Sequence, residues 1–226
     1  MITFLYIKFL GVNMRQIDKT SHIKELILKY IKNNSKEYIL TILIFVIGLF
    51  IGVMFVNNCS EDKIKIIDEY ILQFEERFKQ AEKIDKNALF ISSVKSNILL
   101  AIGLWIAGTT VIGMPIVLGI VLYRGFCLGT TISSISMTLG MGKGIIFSIC
   151  ALTLQNIFFI PAIITIGVSS IKLYKSIIAD RRKENIKIQI FSHTIISLLM
   201  LAVLIFSSFI ENEVSVSLLK IFIMKL

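Results

Sequence analysis

Charged side chains are scarce in this sequence and unevenly spread. They make up 17% of the 226 residues, where a soluble domain usually carries about 25%. Long stretches therefore hold no charge at all, which excludes an ordinary soluble domain. Histidine is rarer still, with only His22 and His193. Neither has a ligand-spaced companion, so a histidine-based metal site is excluded and no cofactor is expected. Three cysteines give no disulfide framework. Cys127 and Cys150 lie in apolar runs as small hydrophobes, and Cys59 follows the first run as a single thiol. No nucleophile–base pair stands out. The run Gly140-Met-Gly-Lys143-Gly144 lacks the GxxxxGK[ST] spacing of a phosphate loop and reads as a turn between helices. Acidic residues are missing from every long apolar run, which disfavours a proton- or cation-coupled pump. No catalytic activity is expected.

What the chain has in excess is apolar length. Hydrophobic residues reach 55% and mean hydropathy is +0.82. Apolar runs of about 18 residues or more read as membrane-spanning helices. The fold class is an all-α, polytopic integral membrane bundle of about five transmembrane helices with one extracytoplasmic amphipathic helix. The implied organisation is a cytoplasmic segment over 1–38, a first transmembrane helix over 39–56 and an amphipathic helical loop over 57–95. A central block over 96–170 then holds the second to fourth spans. A basic loop over 171–189, a fifth span over 190–210 and a tail over 211–226 complete it.

Met1 to Asn13 lacks a basic start and a small-residue cleavage site, so it reads poorly as a signal peptide. Met14, followed by Arg-Gln-Ile-Asp-Lys, is the expected initiator. Asp18 to Lys36 is a basic helix whose Ile23, Leu26, Ile27, Tyr30 and Ile31 form a stripe suited to the bilayer surface. Ile39 to Val56 carries no charge; its aliphatic content gives an insertion free energy on the order of −4 to −8 kcal/mol. Gly48 and Gly52 in it form a small-xxx-small face for a neighbouring helix or a second copy. Beyond it, Ile64, Ile67, Ile71, Phe74, Phe78 and Ala81 are spaced 3, 4, 3, 4, 3. That heptad-like stripe predicts a helix of about 24 residues. Its face packs on the bilayer surface or the protein's own helices, or else docks a partner.

The central block opens at Asn97. A straight helix from Ile98 to Tyr123 would extend about 39 Å, more than a hydrocarbon core of about 30 Å. Two layouts follow. In the preferred one, a helix kinked at Gly113 and Pro115 runs to Tyr123, Arg124 marks the inner surface, and a third span covers Phe126 to Gly142. In the other, the turn falls at Gly113-Met-Pro115, with proline opening a new helix. Arg124 is then at mid-depth, at a cost of about 2.5–3.5 kcal/mol unless it faces the bundle. Gly125 and Gly129 follow it at helix-packing spacing. A fourth span is expected from Gly144 to Ser170, with Gln155 and Asn156 as interhelical glue and Pro161 as a kink.

The net charge of +9 could suggest nucleic acid, but no nucleic-acid motif accompanies it. The charge is concentrated instead in two juxtamembrane segments. Residues 1–38 hold seven basic and three acidic residues, and residues 172–187 hold six and two. Segment 57–95 is balanced at seven and eight. The positive-inside rule places the two basic segments in the cytoplasm, against anionic lipid, and with five spans leaves the C-terminus outside.

The first span, the amphipathic helix, Asn97, Gly-Met-Pro115, Arg124-Gly125-Phe-Cys-Leu-Gly129, and Leu154-Gln155-Asn156 with Ile160-Pro161-Ala162 occur in an order that resembles the stage II sporulation protein M family of spore-forming Firmicutes. The resemblance covers about Met14 to Ile210. One departure is Leu154, where the family often has proline, so the usual cause of a helix break there is missing. The resemblance implies a multi-pass membrane protein of the mother cell, needed for engulfment of the forespore. It implies work with stage II sporulation proteins D and P, which degrade septal peptidoglycan, as their non-enzymatic anchor. The competing class is a transporter or channel subunit with Arg124, Gln155 and Asn156 lining a cavity. A third is a structural protein that self-associates through its glycine faces.

Overall fold

The computed structural model describes residues 19–80, 86–110, 113–149, 152, 154–179 and 183–215. The expected initiator Met14 and the stripe residue Ala81 lie outside them, and the side chains of Phe74 and Phe78 are likewise not described. The chain forms two compact units, 1–36 and 37–226.

The first unit holds helix α1, Lys19–Asn33. Its last turn leaves carbonyls without helical partners. The Asn34 side-chain amide takes one of them, donating to the Tyr30 carbonyl at 2.7 Å. Leu26 and Tyr30 are half-buried, whereas Ile27 and Ile31 are exposed.

The remaining helices are α2 (Ser35–Asn57), α3 (Glu61–Gln80), α4 (Lys86–Thr109), α5 (Gly113–Leu139), α6 (Met141–Ser148), α7 (Leu154–Ala179) and α8 (Lys183–Ile210). A π-helical turn, Glu211–Ser215, follows. The all-helical class is as expected. Among the described residues, five stretches are long and apolar enough to cross a membrane: Ser35–Asn57, Asn87–Thr109, Gly113–Leu139, Gln155–Ile178 and Ile186–Glu213.

The preferred layout of the central block is overturned. The second span ends at Thr109 and the third begins at Gly113. Thr109 and Thr110 turn their hydroxyls back onto the Ile106 and Ala107 carbonyls, at 2.8 and 2.9 Å, and close the helix end. A side chain at Gly113 would collide with the Ala107 carbonyl, so only glycine permits this tight reversal. Pro115 sits in the first turn of α5, where a missing N–H costs nothing. Arg124 is therefore mid-helix, not at a helix end.

The expected fourth span, Gly144 to Ser170, falls on two α-helices with π-helical Ile149 and Leu152 between them. Helix α5 ends at Leu139, and Gly140 follows with a φ of +81°, a value suited to glycine. Helix α6 returns along α5 and ends at Ser148, and α7 starts at Leu154. The Asn156 side chain donates to the Leu152 carbonyl at 2.8 Å. Pro161 lies inside α7 without ending it. The basic 171–189 region is mostly helical too: α7 runs to Ala179 and α8 starts at Lys183. Lys175 reaches Glu37 at 2.6 Å. Long basic side chains let a helix continue past its apolar part because their charged ends reach a polar surface.

Helix α7 is the most enclosed span, with Ile163, Ile166, Val168 and Ile171 almost fully buried. Around it, Leu104 of α4, Val117 and Val121 of α5, Phe45 of α2 and Leu204 of α8 complete the core. On α5 the buried positions Val117, Val121, Gly125, Gly129 and Ser133 recur every four residues. That period lines up one helix face toward its neighbours.

Candidate functional site

The glycines predicted to pack do so against each other. A Cβ at Gly48 or Gly52 of α2 would collide with the carbonyls of Leu122 and Phe126 on α5. A Cβ at Gly125 or Gly129 would collide with the carbonyls of Phe45 and Leu49 on α2. Two GxxxG faces thus interlock in parallel, backbone against backbone, as small residues allow between membrane helices. Phe55 and Phe126 pack edge-on beside this seam at 5.6 Å between centroids.

A second assembly joins α4, α7 and α8. Asn97, 4% exposed, donates to Ser208 Oγ at 2.7 Å and to the Leu204 carbonyl at 3.2 Å. One turn earlier on α4, Ser93 Oγ lies 3.0 Å from Ser208 Oγ and donates to the Glu211 carboxylate. Gln155 Nε2 donates to the same Glu211 oxygen at 2.7 Å, and Ser207 Oγ donates to the Gln155 carbonyl at 3.0 Å. Asn97 and Gln155 were expected as helix-packing residues, and they meet here. Ser93 and Glu211 were not anticipated. Glu211 reads in sequence as the first residue of a polar tail, yet it closes the helical series Leu204, Ser207, Ser208, Glu211, and that period is the signal that identifies it.

Toward the other end of α8, His193 is 1% exposed and its Nδ1 is 3.0 Å from Ser169 Oγ on α7. Trp105 Nε1 donates to Thr194 Oγ1 at 3.1 Å. His193 is thus a buried tie between α7 and α8. Among the described residues no group of three or more His, Cys, Asp or Glu is arranged to hold a metal.

Arg124 is half-buried, with its guanidinium 5.3 Å from the centroid of the Phe159 ring on α7. A cation over an aromatic face gains about 0.5–2 kcal/mol, which offsets part of the cost of its depth. A separate groove of about 390 Å³ is lined by Leu128 and Ile132 of α5, Ser148 of α6, and Asn156 and Ile160 of α7. Neither Arg124 nor Gln155 is among the lining residues. The arrangement of Arg124, Gln155 and Asn156 around one cavity, which a transporter would use, does not form there.

Helix α3 turns much of its predicted stripe inward. Ile64, Ile67 and Ile71 are half-buried, while Ile66, Leu72 and Tyr70 (74% exposed) are exposed. Thr138 of α5 donates to Asp68 at 2.6 Å and ties the helix to the bundle. Ile67, Ile71 and Tyr70 border a groove of about 520 Å³ whose other wall includes Thr131 and Ile135 of α5 and Phe147 of α6.

The sequence model of the stage II sporulation protein M family matches residues 41–215. The match begins inside α2, contains every other span, and ends with the π-helical turn that carries Glu211. No curated protein and no solved structure matches the chain.

Proposed function

The chain belongs to the stage II sporulation protein M family, and from that membership we propose that it is a non-enzymatic membrane scaffold of sporulation. In this reading it anchors and localises a peptidoglycan-degrading complex, including stage II sporulation proteins D and P, at the septal and engulfing membrane of the mother cell. Family membership implies the sporulation role; the anchoring of this complex is our own step. One structural observation carries it. An amphipathic helix, α3, joins the first two spans, is fastened to α5 through Asp68 and Thr138, and still presents Ile66, Tyr70 and Leu72 outward. A fixed helix with free apolar side chains suits docking of a partner.

The topology proposed with it has the N-terminus and the basic ends of α7 and α8 in the cytoplasm, following the positive-inside rule. Helix α3 is then extracytoplasmic, on the side where the cell wall lies.

The test is purification of the tagged chain from sporulating cells. Proteins D and P should co-purify, and Ile66→Glu with Tyr70→Glu should deplete them while the chain stays in the membrane. If D and P are absent from purifications of the unaltered chain, the scaffold reading falls. A C-terminal reporter active only in the cytoplasm should be silent; an active one would overturn the topology.

A further inference from the structure

Helix α1 is apolar on one side and strongly basic on the other. Residues 19–36 hold five lysines and one glutamate. Its apolar side chains divide into two groups. Leu26 and Tyr30 are half-buried, whereas Ile27, Leu28 and Ile31 are 55%, 65% and 40% exposed. The exposed three are not the stripe expected from the sequence, which leaves out Leu28. With 3.6 residues per turn they share an arc of about 100° on the helix. Lys32 borders that arc, and Lys29 lies further round beside Glu25; all three charges are exposed. Chain connectivity limits what the open face can meet. Helix α1 ends at Asn33, and α2, which is long and apolar enough to span, starts at Ser35. At about 3.6 Å per residue at most, Ile31 lies within about 14 Å of Ser35.

The open face is therefore held close to the surface of the bilayer that α2 enters. We propose that it binds that surface where the lipid is anionic, with Ile27, Leu28 and Ile31 among the upper acyl chains and Lys29 and Lys32 at the phosphates. Two features select this occupant. The lipid around α2 is continuous with the surface beside α1, so no further molecule has to be recruited. The charge is complementary: lysines at the edge of an apolar arc keep their stems in the headgroup layer and their ammonium groups at its phosphates. A second copy of α1 would bring a further set of lysines against the first, with one glutamate per helix to offset them. The proposal does not rest on the scaffold reading.

The test uses the full-length chain with its three cysteines replaced by serine and a single new one, Ile27→Cys, carrying an apolar fluorophore. It is reconstituted in nanodiscs of phosphatidylcholine alone or mixed with phosphatidylglycerol, each with a lipid-borne quencher in the acyl region. With phosphatidylglycerol the label at 27 should be strongly quenched, and a label on Asn33→Cys, on the polar side, much less. Lys29→Gln with Lys32→Gln should lower the docked-to-free ratio about 25-fold, at about fivefold for each lysine near an anionic surface. Added salt should act in the same direction. Leu28→Asp with Ile31→Asp should abolish quenching while the thermal stability of the bundle is unchanged, which shows that the variant folds. Equal quenching in the two lipid mixtures overturns the proposal, as does quenching that survives loss of both lysines. Absence of quenching in either mixture means that protein covers the face, and overturns it too; so does quenching that is equal at positions 27 and 33. The assay contains no sporulation partner, so neither outcome bears on whether proteins D and P co-purify.

Discussion

Two joints hold the spans together by opposite means. The seam between α2 and α5 has almost no side chains in it; four glycines bring the two backbones into contact. The joint between α4, α7 and α8 consists of side chains: Ser93, Asn97, Gln155, Ser207, Ser208 and Glu211 bond to one another across three helices. The first depends on shape, because a carbonyl oxygen in a helix cannot move aside. The second depends on chemistry, because a polar group stranded inside the bundle keeps its desolvation cost. The two joints should therefore fail under different substitutions.

The largest effect is expected at the seam. Gly125→Leu places a branched side chain against the Phe45 carbonyl, and Gly52→Leu does the same at Phe126. Overpacking usually costs about 1–3 kcal/mol; a rigid backbone opposite the clash puts these at about 3 kcal/mol or more. Loss of the native detergent-resistant fold, seen as lowered thermal stability of the purified chain, checks this. Polar replacements of similar small size, such as Gly125→Ser, should also harm the seam, which separates it from the polar joint.

Next comes the polar joint. Glu211→Leu strands Gln155 Nε2, at about 1–3 kcal/mol for an unsatisfied buried group, while Ser93 Oγ keeps Ser208 Oγ at 3.0 Å. Asn97→Leu should cost less, since Ser208 Oγ keeps both Ser93 and the Leu204 carbonyl. A Gln155→Leu and Glu211→Leu double-mutant cycle should show strong coupling, since the second change removes a partner already lost. Full additivity of the two would mean that the bond between them contributes nothing.

These two joints also differ in how far the sequence reveals them. Gly48 and Gly52, and Gly125 and Gly129, are local i, i+4 pairs, so each face is visible in its own helix before its mate is known. The polar joint is non-local: Ser93 and Glu211 are 118 residues apart. Asn97 and Gln155 are conspicuous because amides are rare in apolar runs, but serines are not, and Glu211 is camouflaged at the end of a span. The turn at Gly113 was misplaced for a related reason. Charge cost argues for putting Arg124 at a surface, and the compensating Phe159 is supplied by another helix, 35 residues further along the chain. The amphipathic period of α3 was legible, but period alone does not say which half of an apolar face the bundle takes. Asp68 and Thr138 decide that, and their pairing is again non-local.

A smaller effect is expected where α3 is fastened. Thr138→Val removes the bond to Asp68 and should cost about 0.5–1.5 kcal/mol. Because the bond holds one surface helix, the loss should be local. Hydrogen exchange should quicken in Glu61–Gln80 while α7 stays protected. Faster exchange in α7 would show that α3 carries part of the core's stability.

The smallest effect is the sharpest control on the comparison. Gly119 lies on the same helix as Gly125, six residues earlier, yet a Cβ there would meet nothing within 4 Å, and the same holds at Gly103 of α4. Glycine is about 0.5–1 kcal/mol worse than alanine inside a helix. Gly119→Ala and Gly103→Ala should therefore leave stability unchanged or raise it slightly, while Gly125→Ala lowers it, since even one methyl group meets the Phe45 carbonyl. The substitution, the helix and the surrounding apolar medium are the same at positions 119 and 125, so any difference in thermal stability is due to the neighbour alone. Equal losses at the two positions would mean that glycine in α5 serves the helix itself, by bending or insertion, and that backbone contact is not what makes the seam. A loss at Gly119 alone would place a further helix against that face, and α5 would then have partners on two sides, one of them outside this chain.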